Sequence, residues 1–210
     1  IKSSGDISAI TLKTSEDQEQ HIANLSLTMQ NLKDGIRLNF NQSSIIFNEK
    51  TWQIEGNGEL TVSKSFIGAE NIRIVNGQQE IRVASLPSEI GNSNDILISL
   101  SKVNLGDILP YVLKEPKIEG ITSGDITIED PYNKLKVYVN AQTDQTRFEN
   151  DSIGIISLNA FWDNTLKKAN YFVNSNNLGY IFDVKGTLNL ADSNNRIIDT
   201  DFDITDTRID

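Results

Sequence analysis

Residues 120–140 read Gly-Ile-Thr-Ser-Gly-Asp-Ile-Thr-Ile-Glu-Asp-Pro-Tyr-Asn-Lys-Leu-Lys-Val-Tyr-Val-Asn. Ile126 and Ile128 alternate with polar neighbours, Asp130-Pro131-Tyr132-Asn133 supplies turn chemistry, and alternation resumes at Leu135, Val137 and Val139. Side chains on a strand point to opposite faces with period two. The stretch therefore predicts two antiparallel strands joined by a turn, dry on one face and wet on the other.

The same pattern runs outward in both directions. Upstream it takes in Leu25, Leu27 and Met29; Ile36, Leu38 and Phe40; Leu60 and Val62; Ile72 and Ile74; Ile81 and Val83; and Ile96, Ile98 and Leu100. Downstream it takes in Ile156, Leu158, Ala160 and Trp162; Ala169, Tyr171 and Val173; Leu178, Tyr180, Phe182 and Val184; and Ile198, Thr200, Phe202 and Ile204. Breaks fall at Asp34-Gly35, Asn57-Gly58, Asn76-Gly77, Gly91-Asn92-Ser93-Asn94 and Asn174-Ser175-Asn176-Asn177-Leu178-Gly179. Asn and Gly tolerate the positive φ of tight hairpins. Short links imply a meander in which each strand pairs with the next, about fourteen strands in all.

One segment has helical spacing: Leu105, Ile108, Leu109 and Val112, with Asn104 placed as N-cap. Pro110 inside it limits the segment to one short helix. No composition shift or linker divides the chain, which predicts one domain over residues 1–210.

Composition agrees. The chain has 28 Ile against 8 Ala, and Ile favours the half-buried pleated surface. Its 19 basic and 29 acidic residues give a net charge of -10. No basic cluster exists for phosphate, which argues against a nucleic-acid partner. With no Cys there are no disulfides, thiolate metal sites or cysteine nucleophiles. No apolar run approaches the roughly 20 residues of a membrane span, and an opening at Ile1 with no basic n-region leads us to expect no signal peptide in this stretch. A start at Ile1 in mid-pattern leads us to expect an internal or C-terminal section of a longer protein.

Chemistry-bearing residues are sparse. His21 is the single histidine, and without a G-x-S-x-G elbow it reads as a solvated surface residue. Asp199, Asp201 and Asp203, followed by Asp206 and Asp210, form an oxygen-rich run, but they alternate with Phe202 and Ile204 as a strand's wet face does. Residues 120–124 lack the Lys and helix of a phosphate loop. Asn24, Asn41 and Asn150 open glycosylation sequons, common by chance in a chain with 23 Asn. No metal, cofactor or catalytic residue is assigned, and the chain reads as non-enzymatic.

About fourteen strands with one apolar face and no covering helices pose a packing problem. Laid flat, they would span roughly 65 Å. Such a sheet folds into a sandwich, closes into a barrel, or curls into an open trough. Periodicity does not choose among these, because a side chain facing another side chain and one facing a lipid alternate alike.

Residues 120–162 then continue through Arg147-Phe148-Glu149-Asn150-Asp151-Ser152-Ile153-Gly154 to an alternating strand ending Phe161-Trp162-Asp163. This order resembles the TamB-like translocation and assembly module proteins, AsmA-like envelope proteins, in their Bacteroidetes form. Asn104–Pro110 and Trp52–Leu60 are similar to the same family, and the resemblance covers about residues 50–190 as a pattern. It implies an elongated, curled antiparallel meander, a β-taco or half-pipe of about 12–16 strands, with one short helix near 105–113; a β-sandwich or barrel is the alternative fold.

The resemblance further implies a periplasmic protein of a Gram-negative bacterium, anchored in the inner membrane through parts outside this chain. It would carry phospholipid between the two membranes or assist outer-membrane protein assembly beside an Omp85-type barrel. The alternating residues named above, apart from Met29, Ala160, Trp162, Ala169, Leu178, Ile198 and Thr200, then become a groove lining for phospholipid acyl chains. Two other readings compete. One is an interaction scaffold that binds a barrel or client by strand addition at the first or last strand. The other is a carbohydrate-binding sandwich, which calls for exposed aromatic platforms; Trp52 and Trp162 lie in alternating strands and read as buried.

Overall fold

A computed structural model of the chain describes residues 2–4, 6–16, 20–89, 93–111, 113–149, 151–192 and 197–207. The fold is all-β, with one short helix and seventeen strands among the described residues. They fall into two compact units, Ile1–Ser99 and Leu100–Asp210.

The first unit contains β1 (Lys2–Ser4), β2 (Ile7–Glu16), β3 (Gln20–Leu32), β4 (Gly35–Phe40), β5 (Ser43–Phe47), β6 (Lys50–Ile54), β7 (Gly58–Ser63), β8 (Ile67–Glu70), β9 (Ile72–Asn76), β10 (Gln79–Leu86) and the start of β11 (Asp95–Asn104). β4 and β5 lie in succession along β3: Leu27 faces Phe40, while Ala23 faces Ile45. β7 pairs with β4 and β6 with β5. β8 pairs with β7 and β9 with β6, and β10 then pairs with β9. The unit is thus a meander of long strands, three of which are interrupted. These breaks explain why seventeen strands stand where the pattern predicted about fourteen.

Each interruption has a local cause. Between β4 and β5 the buried Ser43 hydroxyl accepts from the Ser26 N–H and donates to the Asn41 carbonyl, both at 2.9 Å. It satisfies backbone groups that the ladder drops there, which would otherwise be costly when buried. Asn57 (φ 75°) and Asn71 (φ 52°) sit at the breaks between β6 and β7 and between β8 and β9. Asn adopts that conformation more readily than most residues.

The second unit carries the rest of β11, helix α1 (Leu105–Ile108), and β12 (Ile118–Glu129), β13 (Lys136–Phe148), β14 (Asp151–Asp163), β15 (Lys168–Asn177), β16 (Tyr180–Asn189) and β17 (Ile197–Thr207). From β12 to β17 every strand pairs antiparallel with the next. No pairing joins β17 back to β12 among the described residues, so this sheet is open rather than closed into a barrel. The helix begins as predicted, with the Asn104 side chain accepting from the Gly106 N–H at 3.0 Å. A single 3-10 turn, Leu109–Tyr111, then takes in Pro110.

Three sequence expectations are corrected. Asn174–Asn177 is not a turn but the end of β15, paired with Tyr180–Asp183; pairing with a neighbouring strand overrides the turn preference of Asn. Leu178 is therefore not a strand residue but the turn tip, 87% exposed. Leu135 likewise lies outside β13, with φ 37°, and its N–H donates to the Asp130 carbonyl.

That turn sets the register of β12 against β13. Asp130 is buried and its carboxylate accepts from Asn133 Nδ2 (2.7 Å) and the Lys134 N–H (3.1 Å). The Asn133 bond, chiefly, holds its carboxyl below the ordinary range. A depressed folded-state pKa gives stability that is present above the unfolded-state value and lost as pH falls through the folded one. Asp130→Asn should therefore lower the urea midpoint at neutral pH, and the gap from wild type should close in acid below the usual carboxylate range. A gap independent of pH would count against this role.

Candidate functional site

The candidate site is the apolar face, and cross-strand register builds it. In the second unit Ile126 faces Val139, Val139 faces Ala160, Ala160 faces Tyr171 and Tyr171 faces Gly186. A parallel row runs Ile128, Val137, Trp162, Ala169, Leu188, Ile198, and another runs Gly124, Ala141, Leu158, Val173, Val184, Phe202. Ile156 faces Thr143, Phe182 faces Ile204, and Tyr180 lies two residues before Phe182. The predicted lining residues of β12–β17 are thus brought onto one surface.

The first unit repeats the arrangement. Leu25 and Leu27 face Leu12 and Ile10; Leu38 and Ile36 face Leu60 and Val62; Ile74 and Ile72 face Ile81 and Val83. Phe40 faces Leu27 and Gly58. Ile96 is buried, and Ile98 and Leu100 are half-buried along β11. At Lys102 a positive φ of 52° shifts the alternation within β11, and the next buried position is Val103 rather than an even-numbered residue. The alternation of Ile96, Ile98 and Leu100 did not point to Val103.

One glycine is required by this face. The Tyr171 ring lies over Gly186, and its hydroxyl bonds to Thr200 Oγ1 at 2.5 Å. A Cβ at Gly186 would overlap both the Tyr171 ring and the Asp199 carbonyl.

What the face lacks is a cover. Among the described residues the buried apolar side chains are Trp52, Ile54, Ala69, Ile72, Ile96 and Val103, of which Val103 alone belongs to the second unit. Across β12–β16 the lining residues are only half-buried, and on β17 Phe202 and Ile204 are 67% and 57% exposed. Neighbours on the same face shield them laterally, and among the described residues of that unit no second layer shields them from above. Chemically, such a surface offers non-directional burial at about 0.8 kcal/mol per CH₂.

Other candidates fall elsewhere. Asp199, Asp201 and Asp203 lie on the opposite face of β17, exposed, with Lys185 Nζ 3.9 Å from Asp201; Asp206 accepts from the Gly179 N–H. Among the described residues no group of three or more His, Asp or Glu is placed to hold a metal. His21 belongs to β3, but its side chain lies outside the described residues, as do Asn150, Asp210 and Val112. Asn24 and Asn41 are exposed. Trp52 is fully buried, whereas Trp162 is half-buried. No helix of the described residues is long and apolar enough to cross a membrane.

No family model, curated protein or solved structure matches this chain.

Two substitutions test the geometry. Phe202→Ser should cost less than about 1 kcal/mol, against about 3–5 for truncating a covered Phe. Gly186→Val should cost about 1–3 kcal/mol by overpacking against Tyr171. Urea midpoints measure both.

Proposed function

We propose that this chain is a non-enzymatic section of a TamB-like translocation and assembly module. In this reading its apolar face holds phospholipid acyl chains on their way between the inner and outer membranes. The setting is the periplasm of a Gram-negative cell, with an Omp85-type barrel as the partner of the whole protein. The observation that carries the reading is the set of in-register aliphatic rows on the second unit, only half-buried, with no covering layer among the described residues of that unit. Few polar atoms interrupt those rows, so a sliding acyl chain meets near-uniform burial and no deep trap.

The test is mass spectrometry of organic extracts from the purified protein, combined with photo-crosslinkers at Leu38 and Val139. Phospholipid should co-purify and crosslink at both positions. The double variant Phe182→Asp/Val184→Asp should lose most of the lipid bound to the second unit. No lipid, with crosslinks only within the protein, would overturn the reading.

A second reading, strand addition, is favoured by β17. This last strand pairs with β16 on one side, and nearly all its side chains are exposed, including Ile197, Ile198, Phe202 and Ile204. Exposed apolar edges recruit further strands. Asp201→Pro should abolish complex formation with a barrel or client while leaving lipid content unchanged.

A further inference from the structure

The face opposite the aliphatic rows breaks the expected pattern of a purely solvated surface. Two adjacent rows there run Thr127, Tyr138, Phe161, Asn170 and Asp125, Asn140, Asn159, Phe172. Three aromatic rings thus stand among three carboxamides, a hydroxyl and a carboxylate on four neighbouring strands. Together they line a concavity of about 490 Å³, within the size range of small-molecule sites.

The rings are available and held. Tyr138 and Phe172 are each 37% exposed, and Phe161, directly across from Tyr138, is half-buried. The Tyr138 and Phe161 ring centroids are 4.8 Å apart at an interplanar angle of 31°. Burial, chiefly, and the neighbouring Glu129 carboxylate hold the Tyr138 hydroxyl above its ordinary pKa. Asn170 Oδ1 accepts from Thr187 Oγ1, while no hydrogen bond joins the Asn140 or Asn159 carboxamide to another described residue.

Chemistry narrows the ligand. Quaternary ammonium ions are recognised by rings standing as the walls of a cage. Tyr138 and Phe161 are tilted by only 31° and form a floor instead. A floor suits a flat partner with an apolar face, and unpaired carboxamides at its margin suit a partner whose edge carries many donors and acceptors. A pyranose ring has both: axial C–H groups on its face and hydroxyls around its rim.

We propose that Tyr138, Phe161 and Phe172, with Asn140, Asn159 and Asp125, form a binding site for a neutral oligosaccharide on the face opposite the aliphatic rows. Sugar rings stack on the aromatic floor, and the Asn140 and Asn159 side chains bond their hydroxyls. The site is independent of the lipid reading, because it uses the other side of the same strands.

The experiment uses the full chain in saturation-transfer NMR and calorimetry, with cellotriose, maltotriose and chitotriose as probes and tetramethylammonium chloride as competitor. At least one trisaccharide should bind at millimolar concentration and receive saturation mainly at its ring C–H protons. Phe172→Ala and Asn140→Ala should each weaken binding roughly tenfold, the loss of one stacking or hydrogen-bonding partner. Phe202→Ala, on the opposite face, should leave it unchanged, and circular dichroism should show every variant folded. Absence of binding by all three sugars, binding indifferent to both Phe172→Ala and Asn140→Ala, or displacement by tetramethylammonium would each overturn the proposal.

Discussion

Everything in this molecule depends on antiparallel strand pairing at period two. Each strand of the second unit hydrogen-bonds its sequence neighbour, so the backbone is satisfied within the sheet, without a second layer. Pairing carries a side chain's face from strand to strand: an aliphatic residue at Ile126 implies one at Val139, and the row continues to Ala160 and Tyr171. A slip of one residue would turn an entire strand's aliphatic set to the other side. The turn at Asp130 and the contact of Tyr171 over Gly186 are the devices that pin this register.

The same constraint leaves a consequence that pairing cannot remove. A sheet with hydrogen bonds satisfied edge to edge still has two faces, and one of them here is aliphatic. In the first unit Trp52, Ile54, Ala69 and Ile72 are buried, so part of that face acts as an ordinary core. In the second unit lateral shielding by neighbours is the main protection, and the lining stops at half-burial. The acid side chains at Asp199, Asp201 and Asp203 keep the opposite side of the exposed last strand charged, which disfavours unspecific edge association.

Much of this was legible from the residues. Alternation placed twelve of the seventeen strands and assigned their dry face, leaving β1, β2, β5, β6 and β8 unmarked, and Asn104 with Pro110 marked both the start and the shortness of the helix. What misled was local chemistry in competition with pairing. Asn174 to Asn177 carries strong turn preferences, yet ten residues of β15 find partners on β16, and ladder bonds outweigh propensity. Leu135 fits an alternating series but belongs to a turn closed on the Asp130 carbonyl. The aromatic floor was hidden for a different reason: Tyr138, Phe161 and Phe172 are far apart in the chain, and each alone looks like an irregularity on a wet face.

By itself, then, the sequence determined the fold class, the positions of most of the longer strands and the identity of the aliphatic face, because those follow from intervals of two within a single segment. It also determined the acidic character and the absence of thiol chemistry, which are matters of composition. Only the tertiary structure decided which rows adjoin, where long strands break, and that the lining of β12–β16 stops at half-burial. Those features arise from register between distant segments and from the presence or absence of a second layer, and period-two alternation is the same whether a side chain meets a neighbour, a ligand or water.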